Sequence, residues 1–221
     1  MLERLLPESA VVVAGTGDRE VELFPAEEEA LGQAVEKRRR EFVTARACAR
    51  EALGRLGIAP RPIPTGSKGE PVWPEGVVGS ITHCAGYRAC AVAAASDLTT
   101  IGIDAEVAEP LPPNLIDDIA LPEERRRLER LAGEAPGVSW DRLLFSIKES
   151  IYKAWFPLTR SWLGFEDASV SLDRERGTFA AQLLVPGPTL QGRHLDGFRG
   201  RWLIADGLVL SAIAVPAGDD R

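Results

Sequence analysis

Apolar residues fill positions 10–14, and Gly15 and Gly17 close the run, which predicts a strand ending in a turn. Helical sequence follows. Pro25 suits a first helical position, Glu27, Glu28 and Glu29 suit the positive end of a helix dipole, and Gly57 supplies the stop. That span is long for one helix and predicts a break into two. Residues 58–76 carry five prolines and several glycines, so they predict an extended loop. Strand patterns then recur at 77–82, 87–94 and 100–105, separated by Gly86 and a polar turn around Asp97, and read as an antiparallel meander. Segments 114–120 and 122–131 are helical by composition. Trp140, Leu143, Leu144, Ile147, Ile151 and Trp155 are spaced by threes and fours, predicting an amphipathic helix with Ser139 as its cap. Strand alternation returns at 168–172, 178–185, 197–205 and 208–215, with glycine turns such as Asp206-Gly207 between.

This order predicts an α+β protein of two halves, residues 1–106 and 107–221, dividing near residue 106. No flexible linker marks the division, so the halves are expected to share an interface, and a cleft between halves is a favoured ligand site.

Composition narrows the function. A net charge of −7 over 221 residues argues against general nucleic-acid binding. Within this acidic chain, Arg38, Arg39 and Arg40, and again Arg125, Arg126 and Arg127, form basic clusters that suit a solvated helix face, an anionic ligand or an acidic partner. Cys48, Cys84 and Cys90 are odd in number and lack metal-ligand spacing, which fits a reducing compartment and apolar packing. The amino terminus is too charged for a signal peptide, and no apolar run approaches the ~20 residues that span a bilayer. A cytoplasmic protein without membrane attachment is expected.

Four stretches carry candidate chemistry. In IGIDAE, residues 101–106, Asp104 and Glu106 stand two apart at a strand end and point to one side. Two like charges there either face water or share a cation; magnesium, which takes one or two carboxylates and completes its shell with water and phosphate oxygens, suits them. In FSIKESIYKAW, residues 145–155, Lys148 and Tyr152 are four apart, as are Glu149 and Lys153. As an exposed helix pair the latter contributes only about 0.3–0.5 kcal/mol. The surrounding Phe145, Ile151, Trp155 and Phe156 instead suggest a packed junction, where Glu149 supplies a third carboxylate. In SITHC, His83 follows a strand directly before the Gly86 turn, as a phosphate donor or a structural histidine. In GSKGEPVWP, Lys68 sits between glycines without the spacing of a Walker loop, as a phosphate clamp or a solvated lysine.

The order of REFVTARACAR (40–50), GSKGEPVWP, GSITHCAGY, IGIDAE and FSIKESIYKAWFPLTRSWLGFED (145–167) resembles the phosphopantetheinyl transferase family, in its monomeric, broad-specificity Sfp and enterobactin-synthetase type and particularly its actinobacterial members. The likeness covers roughly residues 35–167; the final meander is compatible with it. It implies a pseudo-duplicated α+β fold, each half a small antiparallel sheet with helices, and coenzyme A in the cleft between halves. It implies Asp104, Glu106 and Glu149 as ligands of magnesium, with manganese as the alternative; Lys148 and Lys153 beside the phosphates; Arg38 and Arg46 at the nucleotide; and Lys68, Thr82 and His83 also lining that site. Glu149 and Lys153 are the implied catalytic residues, with Glu149 as general base. Thr65 stands where some relatives carry a basic residue. The implied reaction moves phosphopantetheine from coenzyme A to a serine of an acyl or peptidyl carrier protein or domain of fatty-acid, polyketide or nonribosomal peptide synthases, siderophore synthesis included. Adenosine 3′,5′-bisphosphate is released. Arg125 to Arg127, Arg160, Trp162 and Leu163 are candidates for the carrier's docking patch. The rival readings are a magnesium-dependent coenzyme A phosphohydrolase and a non-catalytic nucleotide-binding module.

Overall fold

The computed structural model describes residues 1–218. Strand β1 (Val11–Thr16) is followed by helices α1 (Pro25–Leu31) and α2 (Glu36–Arg55), so the long helical span does break, at Gly32. Strands β2 (Val77–Cys84) and β3 (Tyr87–Ala94) complete an antiparallel sheet of order β1-β3-β2. β4 (Leu98–Val107) leads to α3 (Leu115–Ile119), α4 (Pro122–Glu134) and α5 (Trp140–Thr159). The chain then forms β5 (Ala168–Asp173), β6 (Thr178–Leu183), the short hairpin β7 (Thr189–Leu190) and β8 (Arg193–His194), β9 (Gly197–Ala205) and β10 (Leu208–Pro216). A second antiparallel sheet has the order β4-β10-β9-β6-β5.

Two expectations need correction. β4 does not continue the β2-β3 meander; it pairs along its length with β10, from Val107 opposite Leu208 to Leu98 opposite Pro216. The seam between sheets therefore falls in the turn around Asp97, not near residue 106. Long-range pairing with the last strand outcompetes the local hairpin because Ile101, Ile103 and Ala105 are then buried between the sheets. Ser139 also fails to cap α5: its hydroxyl donates to Ala108 O at 3.4 Å and makes no cap hydrogen bond.

β3 is buried on both faces. Cys90 and Val92 pack with Cys48, Ala49, Ala52 and Leu53 of α2, while Ala89, Ala91 and Ala93 pack against Ile101, Ile103 and Leu210 of the second sheet. Those alanines let the two sheets approach closely. β4 is an edge strand on the side facing β2, and side chains satisfy its free N–H groups: Ser80 Oγ accepts from Ile103 N at 3.2 Å, and Thr82 Oγ1 from Ala105 N at 2.9 Å. These hydroxyl stitches set β2 and β4 side by side. On the outer face of the second sheet, α5 crosses β4 at Gly102, where a Cβ would come within 2.0 Å of Ser150 O. Only glycine permits that approach. β4 thereby meets β2 along one edge and α5 on one face, and the site forms where the three converge.

Candidate active site in the cleft between the sheets

A cavity of about 400 Å³ opens between α2, the 65–73 loop, the ends of β2 and β4, and α5. On α2, Arg38, Glu41, Phe42, Ala45 and Arg46 face it, a spacing of three, four, seven and eight that puts them on one helical stripe. Arg46 is locked in place. Its Nε donates to Ile63 O at 3.0 Å and its Nη2 to Thr65 Oγ1 at 3.0 Å, and its guanidinium lies 4.1 Å from the Phe42 ring centre. Burial pulls its pKa down to about 10. Behind it the buried Glu27 carboxylate binds Arg50 and accepts from Ile63 N and Phe24 N, each at 2.9 Å, which fixes the start of the loop.

Arg38 Nη1 stands 3.2 Å from His83 Nε2. A guanidinium can only donate, so Nε2 accepts and the ring proton belongs on Nδ1, which faces Glu41 at 3.9 Å. Burial lowers the His83 pKa, with Glu41 opposing, so the ring is held neutral near pH 7. Lys68 and Glu70 stand on the loop side of the cavity, where Glu70 accepts from Lys68 N at 2.9 Å.

The carboxylates gather at the cleft floor. Asp104 is 4 % exposed. Its Oδ1 accepts from Lys153 Nζ at 2.7 Å and from Thr82 Oγ1 at 3.3 Å, while its Oδ2 is buried without a hydrogen-bond partner. Glu106 meets Arg142 Nη1 at 3.1 Å, yet burial and the nearby Asp104 push its pKa up to about 6. Burial also raises that of Glu149, with Lys153 opposing. Burial is the leading cause in both, and the neighbouring Asp104 carboxylate adds to it. Among the described residues, no set of three His, Cys, Asp or Glu side chains closes into a ready-made metal site.

Of the sequence-predicted residues, Arg38, Arg46, Lys68, Thr82, His83, Asp104, Glu106, Glu149 and Lys153 all line this one cavity. Lys148 does not. Its Nζ points away from the cleft to Glu124 Oε2 at 2.8 Å and to the carbonyls of Phe165 and Ala168 at 2.6 and 3.1 Å. The turn of about 100° between positions 149 and 148 aims the Lys148 side chain at α4, where the buried Glu124 carboxylate receives it. Sequence reasoning missed Arg142, although it precedes Glu149 by seven residues, two helical turns, and so lies on the same face. It missed Glu41 and Phe42 as well, which the α2 spacing could have revealed.

A family model for the N-terminal domain of 4′-phosphopantetheinyl transferases matches residues 26–93, and one for the 4′-phosphopantetheinyl transferase superfamily matches residues 100–204. The chain is 52 % identical to the 4′-phosphopantetheinyl transferase Svp of Streptomyces mobaraensis over 99 % of its length and 91 % of that protein. The chain belongs to the 4′-phosphopantetheinyl transferase superfamily. It is also 49 % identical to Npt of Nocardia iowensis, covering 97 % of this chain and 99 % of that one, and 49 % identical to PptT of Mycobacterium tuberculosis, covering 87 % of each. The protein is thus an enzyme that moves phosphopantetheine from coenzyme A to carrier proteins. The two family matches meet between residues 93 and 100, where the sheets also divide. No helix among the described residues is long and apolar enough to cross a membrane.

Proposed function

We propose that this transferase is magnesium-dependent and runs its reaction on the floor of the inter-sheet cleft, with manganese as an alternative ion. The orphaned, buried Oδ2 of Asp104, beside a Glu106 whose charge is disfavoured, is the observation that carries this reading. A divalent cation suits such a donor set because it removes the repulsion, and the lack of a closed protein cage suits an ion whose remaining ligands are water and substrate phosphate. Asp104, Glu106 and Glu149 would hold it. Bound there, magnesium supplies charge neutralisation for the pyrophosphate of coenzyme A.

The chain's own groups divide the remaining work. Arg38, Arg46, Lys68, Thr82 and His83 line the nucleotide side, the cationic ones offering charge-assisted hydrogen bonds to its phosphates. Glu149, raised by burial toward a useful basicity, accepts the proton of the carrier's serine, directly or through water, as the hydroxyl attacks the β-phosphate. Lys153 exchanges Asp104 for the leaving phosphate and stabilises the charge that builds on adenosine 3′,5′-bisphosphate.

Carrier proteins are acidic, which favours a basic rim for docking. Arg125 and Arg127 are engaged within the chain, with Asp117 at 2.5 Å and Val170 O at 2.7 Å. Arg126 is exposed; Arg160 reaches across to Glu70 at 3.3 Å, and Trp162, 73 % exposed, rests one side of its ring on Tyr152, so these three present the accessible part of the patch. The cleft is lined by a single chain, which supports a monomer, and three free thiols support a cytoplasmic setting. The acceptors proposed are carrier domains of fatty-acid, polyketide and nonribosomal peptide synthases.

Incubating the enzyme with coenzyme A and an apo carrier protein, with magnesium or with chelator, and weighing the carrier tests this reading. A gain of one phosphopantetheine only when the metal is present is expected; transfer undiminished by chelator refutes the metal, and coenzyme A breakdown without gain on the carrier indicates hydrolysis.

A further inference from the structure

On the side of α5 away from the cleft, Lys148 is 4 % exposed and Glu124 is 1 % exposed. The ammonium has three N–H groups and three partners: Glu124 Oε2 at 2.8 Å, Phe165 O at 2.6 Å and Ala168 O at 3.1 Å. Glu124 is equally occupied, its Oε1 accepting from Val170 N at 2.7 Å and its Oε2 from Leu121 N at 2.8 Å. One buried ion pair thus ties together the start of α4, the middle of α5, and the turn from α5 into β5.

That turn, residues 160–167, stands beside the proposed base. Trp162 packs on Tyr152 with ring centres 5.1 Å apart, and Phe165 on Phe145 at 6.0 Å. Between the turn and α5 lies a cavity of about 160 Å³, bounded by Glu149 and Tyr152 on one side and Trp162 to Phe165 on the other. Glu149, Tyr152 and Phe145 also line the main cleft. Apolar side chains could fill the space between α4 and α5, but only a buried donor can bind the two carbonyls of the turn.

We infer that Lys148 is a positioning residue for the transfer: with Glu124 it holds the 160–168 turn against α5 beside Glu149, on the acceptor side, and makes no contact with coenzyme A. This rests on Glu149 as the base. Losing the lysine therefore leaves the nucleotide cleft intact and loosens the wall the acceptor must meet.

The test compares Lys148→Met, Glu124→Gln and the double variant. Lys148→Met is expected to keep the Kd for coenzyme A within about twofold, to lower kcat and raise the carrier KM by about tenfold, and to speed tryptic cleavage after Arg160. Adding Glu124→Gln removes the stranded charge but leaves the carbonyls of Phe165 and Ala168 without a donor. The double variant is therefore expected to melt higher than Lys148→Met while kcat and the carrier KM stay impaired; full recovery of kcat would overturn the inference. A coenzyme A Kd weakened about tenfold and not recovered in the double variant makes Lys148 a phosphate ligand and overturns the inference. So do unchanged kcat, KM and cleavage in Lys148→Met. Should that variant not fold, the double variant decides: unchanged coenzyme A affinity supports the inference, and a loss of about tenfold overturns it. The role of Glu149 is read separately, by the loss of turnover in Glu149→Gln.

Discussion

Gly102→Ala is expected to damage folding and catalysis together. An ideal Cβ at this position lies 2.0 Å from Ser150 O and 2.9 Å from both Ala154 N and Ala154 Cβ, so it meets helix backbone that cannot rotate aside. Relaxing the carbonyl contact to about 3.4 Å requires α5 and β4 to separate by on the order of 1.4 Å at that point. The separation also strains the bond from Thr100 Oγ1 to Ala154 O, now 2.9 Å. Overpacking of this kind costs about 1–3 kcal/mol, and a backbone clash belongs at the upper end. For a chain of this size that lowers Tm by about 6–12 °C. The catalytic effect follows from what flanks the contact: Glu149 and Lys153 each precede a clashing residue on α5, and Asp104 lies two residues beyond Gly102 on β4. A misplacement near 1 Å costs about 10²-fold in rate. Calorimetry and steady-state transfer to a carrier measure both effects. Gly133→Ala, on α4 where a Cβ meets nothing within 4 Å, serves as control and should be neutral or slightly stabilising. A Gly102→Ala enzyme melting within about 2 °C of wild type with kcat within about threefold would refute the close-approach argument.

Glu149→Gln keeps the shape and removes the base, so kcat should fall by about 10²–10⁴-fold while calorimetry still finds coenzyme A bound; undiminished turnover removes Glu149 from the role. Glu106 gives a pH test with a definite sign. Its folded pKa of about 6 exceeds the ordinary 4.5, so between those values the folded state holds the proton more tightly and stability declines as pH rises, levelling off above about pH 7. Full burial would make that about 2 kcal/mol; with 23 % of the side chain exposed, about 1 kcal/mol is expected. Metal-free wild type should lose stability relative to Glu106→Gln from pH 4.5 to 7, and a gain over that range contradicts the assignment. For the docking patch, Arg126→Glu, at a position with no contact to the cleft, should raise the carrier KM and flatten its salt dependence while leaving coenzyme A affinity alone; a salt response identical to wild type sinks it.

Most of the elements were legible in the sequence because each obeys a local rule. The apolar run at 10–14, the proline and glutamates at 25–29 and the period-3.6 spacing from Trp140 to Trp155 report burial faces and helix ends without reference to distant residues. The Asp104–Glu106 spacing likewise put two carboxylates on one side, and both line the cleft. Only the tertiary structure decided the rest. It gave β4 to β10, more than 100 residues away, and moved the seam between sheets to Asp97. It turned Lys148 inward to a glutamate of α4 and brought Arg142 to Glu106. Such choices depend on which buried charge finds which partner, and that is settled by the packing of whole elements, since an ammonium or carboxylate out of water is tolerable only where the fold delivers its counter-charge.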